Sequence, residues 1–155
     1  MRVVDKRVAV DAWESLFRAQ VAILRQLHAE FPTGEISLNE YDVLLNLSKH
    51  PTRSLRIRDL GHYLLLSQPS VSRLIDRLTA RGILAKSNDP TDARGIIVTL
   101  TSEGYDLFRR VAVKHVKSIS TRLSSSLTDA ELVQLAALTD KLAVGCPVPE
   151  PVPTT

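Results

Sequence analysis

Apolar side chains recur at steps of three and four residues along most of this chain, and this spacing predicts a mainly helical protein. The first run predicts a helix over about residues 11–31, with Asp11 at its N-terminus and a Pro-Thr-Gly sequence after it. A second helix is predicted to begin after Ser37, because Ser37 and Glu40 form a Ser-x-x-Glu capping box. This helix is predicted to end at His50, before a proline.

In the middle of the chain the pattern changes from helix to strand. A short helix is predicted over about residues 57–63, and a fourth helix over residues 68–81, capped by Ser67 and ended by Gly82. Two short apolar strands follow, at residues 83–86 and 95–100, and the segment between them is rich in turn-forming residues. This order is that of a helix-turn-helix followed by a wing, which places the second helix in the major groove of DNA.

Long helices are predicted on both sides of this small lobe. One follows residue 101 and reaches about residue 125, and another, which opens with the capping box of Thr128 and Glu131, reaches about residue 144. Their apolar faces, and that of the first helix, are too wide for the small lobe to cover, which predicts a homodimer.

The expected fold class is therefore mainly α with a small β wing: a winged helix-turn-helix plus an α-helical dimerisation region. Residues 36–100 would form the DNA-binding lobe, and residues 1–35 and 101–145 the dimerisation region. Residues 146–155 alternate proline with other residues, which predicts a flexible tail.

Composition narrows the function classes. The net charge of +3 is only mildly basic, but eight cations and four anions lie between Arg53 and Arg94, in the predicted DNA-binding lobe. The single cysteine, Cys146, excludes an intramolecular disulfide, and the chain has neither a membrane-spanning run nor the pattern of a signal peptide, so a cytoplasmic protein is expected. No nucleophile elbow, phosphate loop or metal-ligand spacing is present, which predicts no enzymatic activity, no cofactor and no metal site.

The fourth helix carries the side chains that are candidates for reading DNA. Gln68 suits the N6/N7 edge of adenine, while Arg73 and Arg77 suit guanine or phosphate. Ser67 and Ser70 are short enough for the helix to approach the groove closely. The alternative interpretation of these residues is an ordinary amphipathic surface helix with solvated charges.

The predicted wing supplies one more candidate. Arg94 suits a narrow minor groove, which concentrates negative potential. The carboxylates of Asp89 and Asp92 would repel DNA, so we expect one of them, with Asp92 the favoured choice, to brace the loop by accepting bonds from backbone N–H groups or from Arg94. The alternative is a solvated hairpin with an internal ion pair.

With these elements in place, the chain resembles the MarR family of bacterial winged-helix regulators over about residues 13–142. The matching segments are ISLNEYDVL at 36–44, DLG at 59–61, SQPSVSRLIDRL at 67–78, RGIL at 81–84, DPTDARG at 89–95 and LTSEG at 100–104. Two positions depart from the family pattern. Gly61 stands where alanine is usual, which suggests a looser third helix, and Ala93 removes one cation from the wing.

The resemblance implies a homodimer joined through its terminal helices, a pseudo-palindromic operator, and release by a small, often aromatic or phenolic, ligand. By position, Gln68, Ser70, Arg73 and Arg77 match the groove-facing residues of the family, and Arg94 matches its wing-tip arginine. The chain is thus expected to be a DNA-binding regulator, more often a repressor. The alternative function is a winged-helix module that binds proteins and has no specific DNA binding.

The ligand site implied by the resemblance lies between the dimerisation helices and the DNA-binding lobe. Its candidate residues are Trp13, Phe17, Asp59 and Arg94. The alternative for Trp13 and Phe17 is a place in the core or in the dimer interface. Cys146 and the histidines are expected to be bystanders, with no redox or metal role.

Overall fold

Six helices and a three-stranded antiparallel sheet make up the computed structural model over residues 5–145, the part of the chain that the structure describes. In chain order they are α1 (Lys6–Glu30), α2 (Leu38–Lys49), β1 (Ser54–Arg56), α3 (Ile57–His62), α4 (Gln68–Ala80), β2 (Leu84–Asp89), β3 (Asp92–Leu100), α5 (Ser102–Ser124) and α6 (Asp129–Val144). This confirms the expected fold class. Cys146 and the proline-rich tail lie outside the described residues.

Local capping chemistry sets the helix boundaries of the central lobe. Ser37 accepts a hydrogen bond from the Glu40 backbone N–H at 3.2 Å, and the Glu40 carboxylate accepts one from the Ser37 N–H at 2.8 Å, so the predicted capping box of α2 is confirmed. Ser67 caps α4, and Gly82, with φ of +73°, turns the chain just beyond it. Both ends of α4 could be predicted because each depends on a single residue, Ser67 at the start and Gly82 after the end.

The sheet differs from the prediction in two ways. The strand β1, which was not predicted, pairs with β3, and β3 lies between β1 and β2. The wing strands are also longer than predicted, because β2 runs to Asp89 and β3 starts at Asp92, which leaves only Pro90 and Thr91 as the turn. The predicted connection over residues 87–94 is therefore mostly strand, since ladder bonds to the facing strand offset the weak strand preference of Asn and Asp.

The first helix begins earlier than predicted. The sequence analysis placed its start at Asp11, but α1 begins at Lys6, with Asp5 as the N-cap whose side chain accepts from the Arg7 N–H at 2.9 Å. Asp11 lies inside the helix. The prediction was wrong because Asp5 and Asp11 are both possible N-caps. The helix begins directly after Asp5, so residues 6–10 are helical as well.

The hydrophobic core lies in the central lobe. Val43, Leu44 and Leu47 of α2 pack there with the buried residues of α3, α4 and the sheet, while Leu107 and Val111 of α5 close one side. Neither α1 nor α6 has a fully buried residue. Many of their apolar side chains are instead exposed: Val8, Val10, Trp13, Phe17 and Leu24 on α1, and Val133, Leu135, Leu138, Leu142 and Val144 on α6.

Residues 5–145 contain neither a membrane-spanning helix nor a cluster of metal-ligating side chains. No helix among them has both the length and the apolar character needed to cross a membrane. No three His, Cys, Asp or Glu side chains in that part of the chain come together as they would around a metal ion.

The imidazole of His115 on α5 is a buried polar group. Its ring packs against Phe31, with 5.1 Å between ring centroids, and against Tyr41, with 4.9 Å between centroids. Its Nδ1 atom has no hydrogen-bond partner among the described residues. Burial among these apolar neighbours holds the pKa of His115 below its ordinary value, because the charged imidazolium loses its hydration there.

This depressed pKa predicts a loss of stability in mild acid. The unfolded chain protonates this imidazole near pH 6.5, while the folded chain protonates it only at lower pH, so its contribution is complete above about pH 6.5 and falls as the pH drops below it. We expect the melting temperature of His115→Leu to fall less than that of the parent between neutral pH and mild acid. Thermal denaturation followed by circular dichroism measures this, with the exposed His62→Leu as control. An equal pH dependence in parent and His115→Leu would contradict the prediction.

Candidate nucleic-acid interface

The helix α4 has one buried face and one exposed face. Its four buried side chains, Val71, Leu74, Ile75 and Leu78, anchor it in the core of the lobe. The exposed face carries Gln68, Arg73, Asp76 and Arg77, with Ser70 and Ser72 half-buried beside them. The predicted groove-facing residues of α4 therefore lie on its exposed side, and the small serines leave room for a close approach.

Within residues 5–145, a weak local contact is the one polar contact of the Arg73 side chain. Its guanidinium donates to the Ser70 hydroxyl at 3.3 Å, and that hydroxyl also receives a hydrogen bond from Ser67 at 2.9 Å. No carboxylate among the described residues lies within 4 Å of Arg73. Its planar donor set remains available for a guanine edge or a phosphate.

Arg77 has a different environment, which the sequence analysis missed. Its Nε lies 3.9 Å from Oε1 of Glu40, and Nη1 of Arg81 lies 3.9 Å from Oε2 of the same carboxylate. Glu40 is largely buried, since its side chain is 12% exposed, and it also caps α2. The end of α4 is thus tied to the start of α2, and Arg77 is shared between this contact and solvent. The sequence signal for this contact was weak. It consisted of two arginines near the end of α4 and a glutamate in the capping box of α2.

The wing is fixed by a buried ion pair between Arg56 and Asp89. The Arg56 Nε meets Asp89 Oδ2, and the two side chains are only 8% and 1% exposed. Asp89 Oδ1 also accepts from the Thr91 N–H and hydroxyl, each at 2.8 Å, and Arg56 donates to the same hydroxyl at 2.7 Å. The hydrogen bonds from Thr91, together with the charge of Arg56, hold the pKa of Asp89 below its ordinary value.

Asp92, the residue that the sequence analysis favoured for bracing the wing, makes contacts closer along the chain. Its Oδ1 accepts from the Arg94 N–H at 3.0 Å, and its Oδ2 lies 3.9 Å from Nη1 of Arg58. Its side chain is 40% exposed, against 1% for Asp89. Asp92 therefore orders the backbone at Arg94, while Asp89 joins the wing to β1. A shift in strand register at Asn88 and Asp89 accompanies this difference in burial.

Arg94 is exposed on β3, close to the turn of the wing. A cavity of about 410 Å³ separates the wing from α4. Its polar lining consists of three arginines, one aspartate and two neutral side chains: Arg56, Arg58, Arg94, Asp92, Gln68 and Ser72. The structure thus brings Arg94 and the start of α4 to the two sides of one positively charged recess, as an interface for the DNA backbone and groove requires.

The four candidate ligand residues are not brought together in this chain. Trp13 and Phe17 lie side by side with ring centroids 5.9 Å apart and ring planes tilted by 31°, and they are 63% and 52% exposed. Asp59 is buried within α3, with Nε of Arg58 3.6 Å from its Oδ1, and Arg94 lies on the wing. A second cavity of about 410 Å³ occupies the expected place between α1 and the central lobe. It is lined by Gln20, Leu24, His28, Asn39, Asp42 and the turn of residues 63–66, and includes none of the four.

Comparisons with known proteins agree with this geometry. Residues 35–95 match a family model described as MarR family. YhbI of Bacillus subtilis (strain 168), an uncharacterized HTH-type transcriptional regulator, is 30% identical over 146 residues, which cover 89% of this chain and 92% of YhbI. The HTH-type transcriptional repressor MdtR of the same organism is 34% identical over 101 residues, and this match covers 65% of this chain and 63% of MdtR.

Solved structures extend the similarity to the whole described fold. Sco3205, a MarR family transcriptional regulator from Streptomyces coelicolor solved in complex with DNA, superimposes with a TM-score of 0.74 at 25% identity, over 94% of this chain and 91% of Sco3205. BpsR of Bordetella bronchiseptica, solved to explain the regulation of its DNA binding by 6-hydroxynicotinic acid, gives a TM-score of 0.69 at 28% identity, over 84% of this chain and 91% of BpsR.

Proposed function

Because this chain belongs to the MarR family of DNA-binding transcriptional regulators and is not an enzyme, we propose that it is a homodimeric cytoplasmic repressor of a pseudo-palindromic operator. Residues 68–81 enter the major groove, and the wing at residues 84–100 contacts the flanking minor groove. One observation carries this proposal: Gln68 of α4 and Arg94 of the wing line the same recess. Arg73 is exposed on the same helix, and neither Arg73 nor Arg94 is paired with a carboxylate by its side chain among the described residues.

The proposed dimer is supported by the exposed apolar side chains of the terminal helices. Leu138 and Leu142 of α6 are 56% and 62% exposed, and Trp13 of α1 is 63% exposed. Each fully buried Leu would contribute about 1.5–3 kcal/mol. These helices belong to both ends of the chain, so a second copy that covers them would join residues 1–35 and 101–145 into one dimerisation region, as the sequence predicts.

The proposed ligand is a small aromatic or phenolic molecule in the cavity between α1 and the central lobe. Its volume of about 410 Å³ falls within the usual range for small-molecule sites. Burial raises the pKa of Asp42 in its wall, because the charged carboxylate loses hydration there, while nearby His28 acts in the opposite direction. A ligand here touches both α1 and the turn before α4, and so biases the position of α4 relative to the dimer. The exposure of Trp13 and Phe17 favours the dimer interface as their role.

Selection of bound sites from random double-stranded DNA tests the proposal. We expect an inverted repeat whose half-site centres lie roughly 10 bp apart, because two-fold protein symmetry requires two-fold DNA. Sedimentation of the same protein should show a dimer at micromolar concentration, and adding aromatic acids should reduce the yield of selected sites. Enrichment of no sequence, or protection of one asymmetric half-site by a folded monomer, would contradict it.

The second candidate function, a protein-interaction module without specific DNA binding, rests on the carboxylates that accompany the basic residues. Arg77 and Arg81 face Glu40, and Lys86 pairs with Asp76. Retention on heparin separates the two functions. A DNA-binding protein elutes late and shifts strongly with salt, because phosphate binding releases counterions, whereas a protein-interaction module elutes early.

A further inference from the structure

Gly61 of α3 lies directly beside a proposed base-reading residue, Gln68. A Cβ placed on Gly61 of α3 would lie 2.2 Å from Nε2 and 3.2 Å from Cδ of Gln68, the first residue of α4. The amide of Gln68 therefore occupies the space that a side chain at position 61 would fill. The obstructing atom is the end of a flexible side chain, so alanine at position 61 displaces the amide of Gln68 and leaves the backbone in place.

The position of this amide matters for how Gln68 meets DNA. Gln68 is exposed and lines the recess between α4 and the wing. An amide recognises adenine through two hydrogen bonds at once, one accepted and one donated, so both its place and its plane must fit the base edge. The amide lies where a Cβ of residue 61 would be, so it rests beside α3 before DNA is bound, and such preorganisation lowers the cost of binding.

We propose that Gly61 is a specificity-determining position, which acts by letting the amide of Gln68 lie against α3 and thereby setting the direction from which it reaches a base. This inference rests on the proposed function, because it requires that α4 read an operator. Gly61 itself touches no DNA and is a positioning residue.

The test compares four variants with the parent: Gly61→Ala, Gln68→Ala, the double variant, and Gly34→Ala as a control. Gly34 has nothing within 4 Å of an added Cβ, so this control adds the same methyl group without displacing anything. Each variant is taken through selection from random DNA, then titrated against the parent's best site and its single-base variants at several salt concentrations.

We expect Gln68→Ala to lose between about 5- and 150-fold of discrimination at one base pair of each half-site. Gly61→Ala should relax discrimination at that same base pair and at no other, with an unchanged salt slope, since no phosphate contact is removed. In the double variant, Gly61→Ala should add nothing to the effect of Gln68→Ala, because the displaced amide is gone. Gly34→Ala should behave as the parent.

Three results would overturn the inference while leaving the proposed function intact. The first is that Gly61→Ala retains the parent's base preference. The second is that Gln68→Ala changes no base preference. The third is that Gly61→Ala has the same effect in the Gln68→Ala background as in the parent. The last result would assign the effect to α3 itself, where alanine favours the helix more than glycine does. If the parent enriches no sequence, the proposed function fails and this inference fails with it.

Discussion

Replacing Asp89 with alanine is expected to weaken operator binding, even though it removes a negative charge from the wing. The substitution leaves the guanidinium of Arg56 buried without its counter-charge and removes the acceptor of both Thr91 hydrogen bonds. The turn of the wing then loses its side-chain link to β1, while the ladder between β1 and β3 remains, and we expect Arg94 to be held less firmly beside α4. We expect the loss of affinity to be at least as large as that of Arg94→Ala, for which a specific arginine contact suggests about 5- to 150-fold.

A matched pair of variants separates bracing from simple electrostatics. Asp92→Ala removes the same charge from the same hairpin, but at a side chain that is 40% exposed, accepts a hydrogen bond from the Arg94 N–H and lies 3.9 Å from Arg58. Bracing predicts that both variants weaken binding, Asp89→Ala more than Asp92→Ala. Coulomb repulsion alone predicts that both bind DNA more tightly. Fluorescence anisotropy titrations on one operator distinguish the two, and tighter binding by Asp89→Ala would refute the brace.

A rescue variant tests the physical cause. Replacing both members of a buried ion pair by apolar residues costs far less than removing one, because no charge is left unpaired. Arg56→Met combined with Asp89→Leu should therefore melt at a higher temperature than Asp89→Ala. A double variant that is less stable than Asp89→Ala would mean that the unpaired charge of Arg56 is not the main cost of the single substitution.

The parts of this fold that could be predicted from the sequence depend on contacts between neighbours in the chain. Ser37, Ser67 and Thr128 each act on backbone groups within three residues, so the boundaries that they set are confirmed. The strand β1 has only three residues, and its partners lie more than 40 residues away on β3. Nothing local specifies such a strand, because ladder bonds to a distant segment form it.

The candidate site shows the same division. Ser67, Gln68, Ser70 and Arg73 follow from the position and the exposed face of α4, so the sequence alone places them on the surface of this helix. The roles of Asp89 and Gly61 do not follow, because both depend on contacts between separate elements. Asp89 and Asp92 are three residues apart in one turn-forming segment, and only the pairing of the strands decides which is buried.

A second large loss of DNA binding is expected when either arginine of α4 is replaced by alanine. The physical cause differs between Arg73 and Arg77. Arg73, which has no carboxylate partner among the described residues and lies nearer the start of the helix, is the proposed base reader. Arg73→Ala should cost about 1–3 kcal/mol on the preferred operator and relax specificity at one base pair. Arg77 lies 3.9 Å from the carboxylate of Glu40, so part of its charge is already balanced, and we propose that it contacts phosphate.

Arg77→Ala should therefore weaken binding to all sequences alike and reduce the salt slope by about one. Glu40→Gln provides the complementary measurement, since it keeps an acceptor for the Ser37 N–H while removing the charge that faces Arg77 and Arg81. Freed from this partner, Arg77 should bind phosphate more strongly, so Glu40→Gln should tighten binding to operator and to random DNA by the same factor. A gain confined to the operator would make Arg77 a base reader, and unchanged affinity in both arginine variants would remove α4 from the interface.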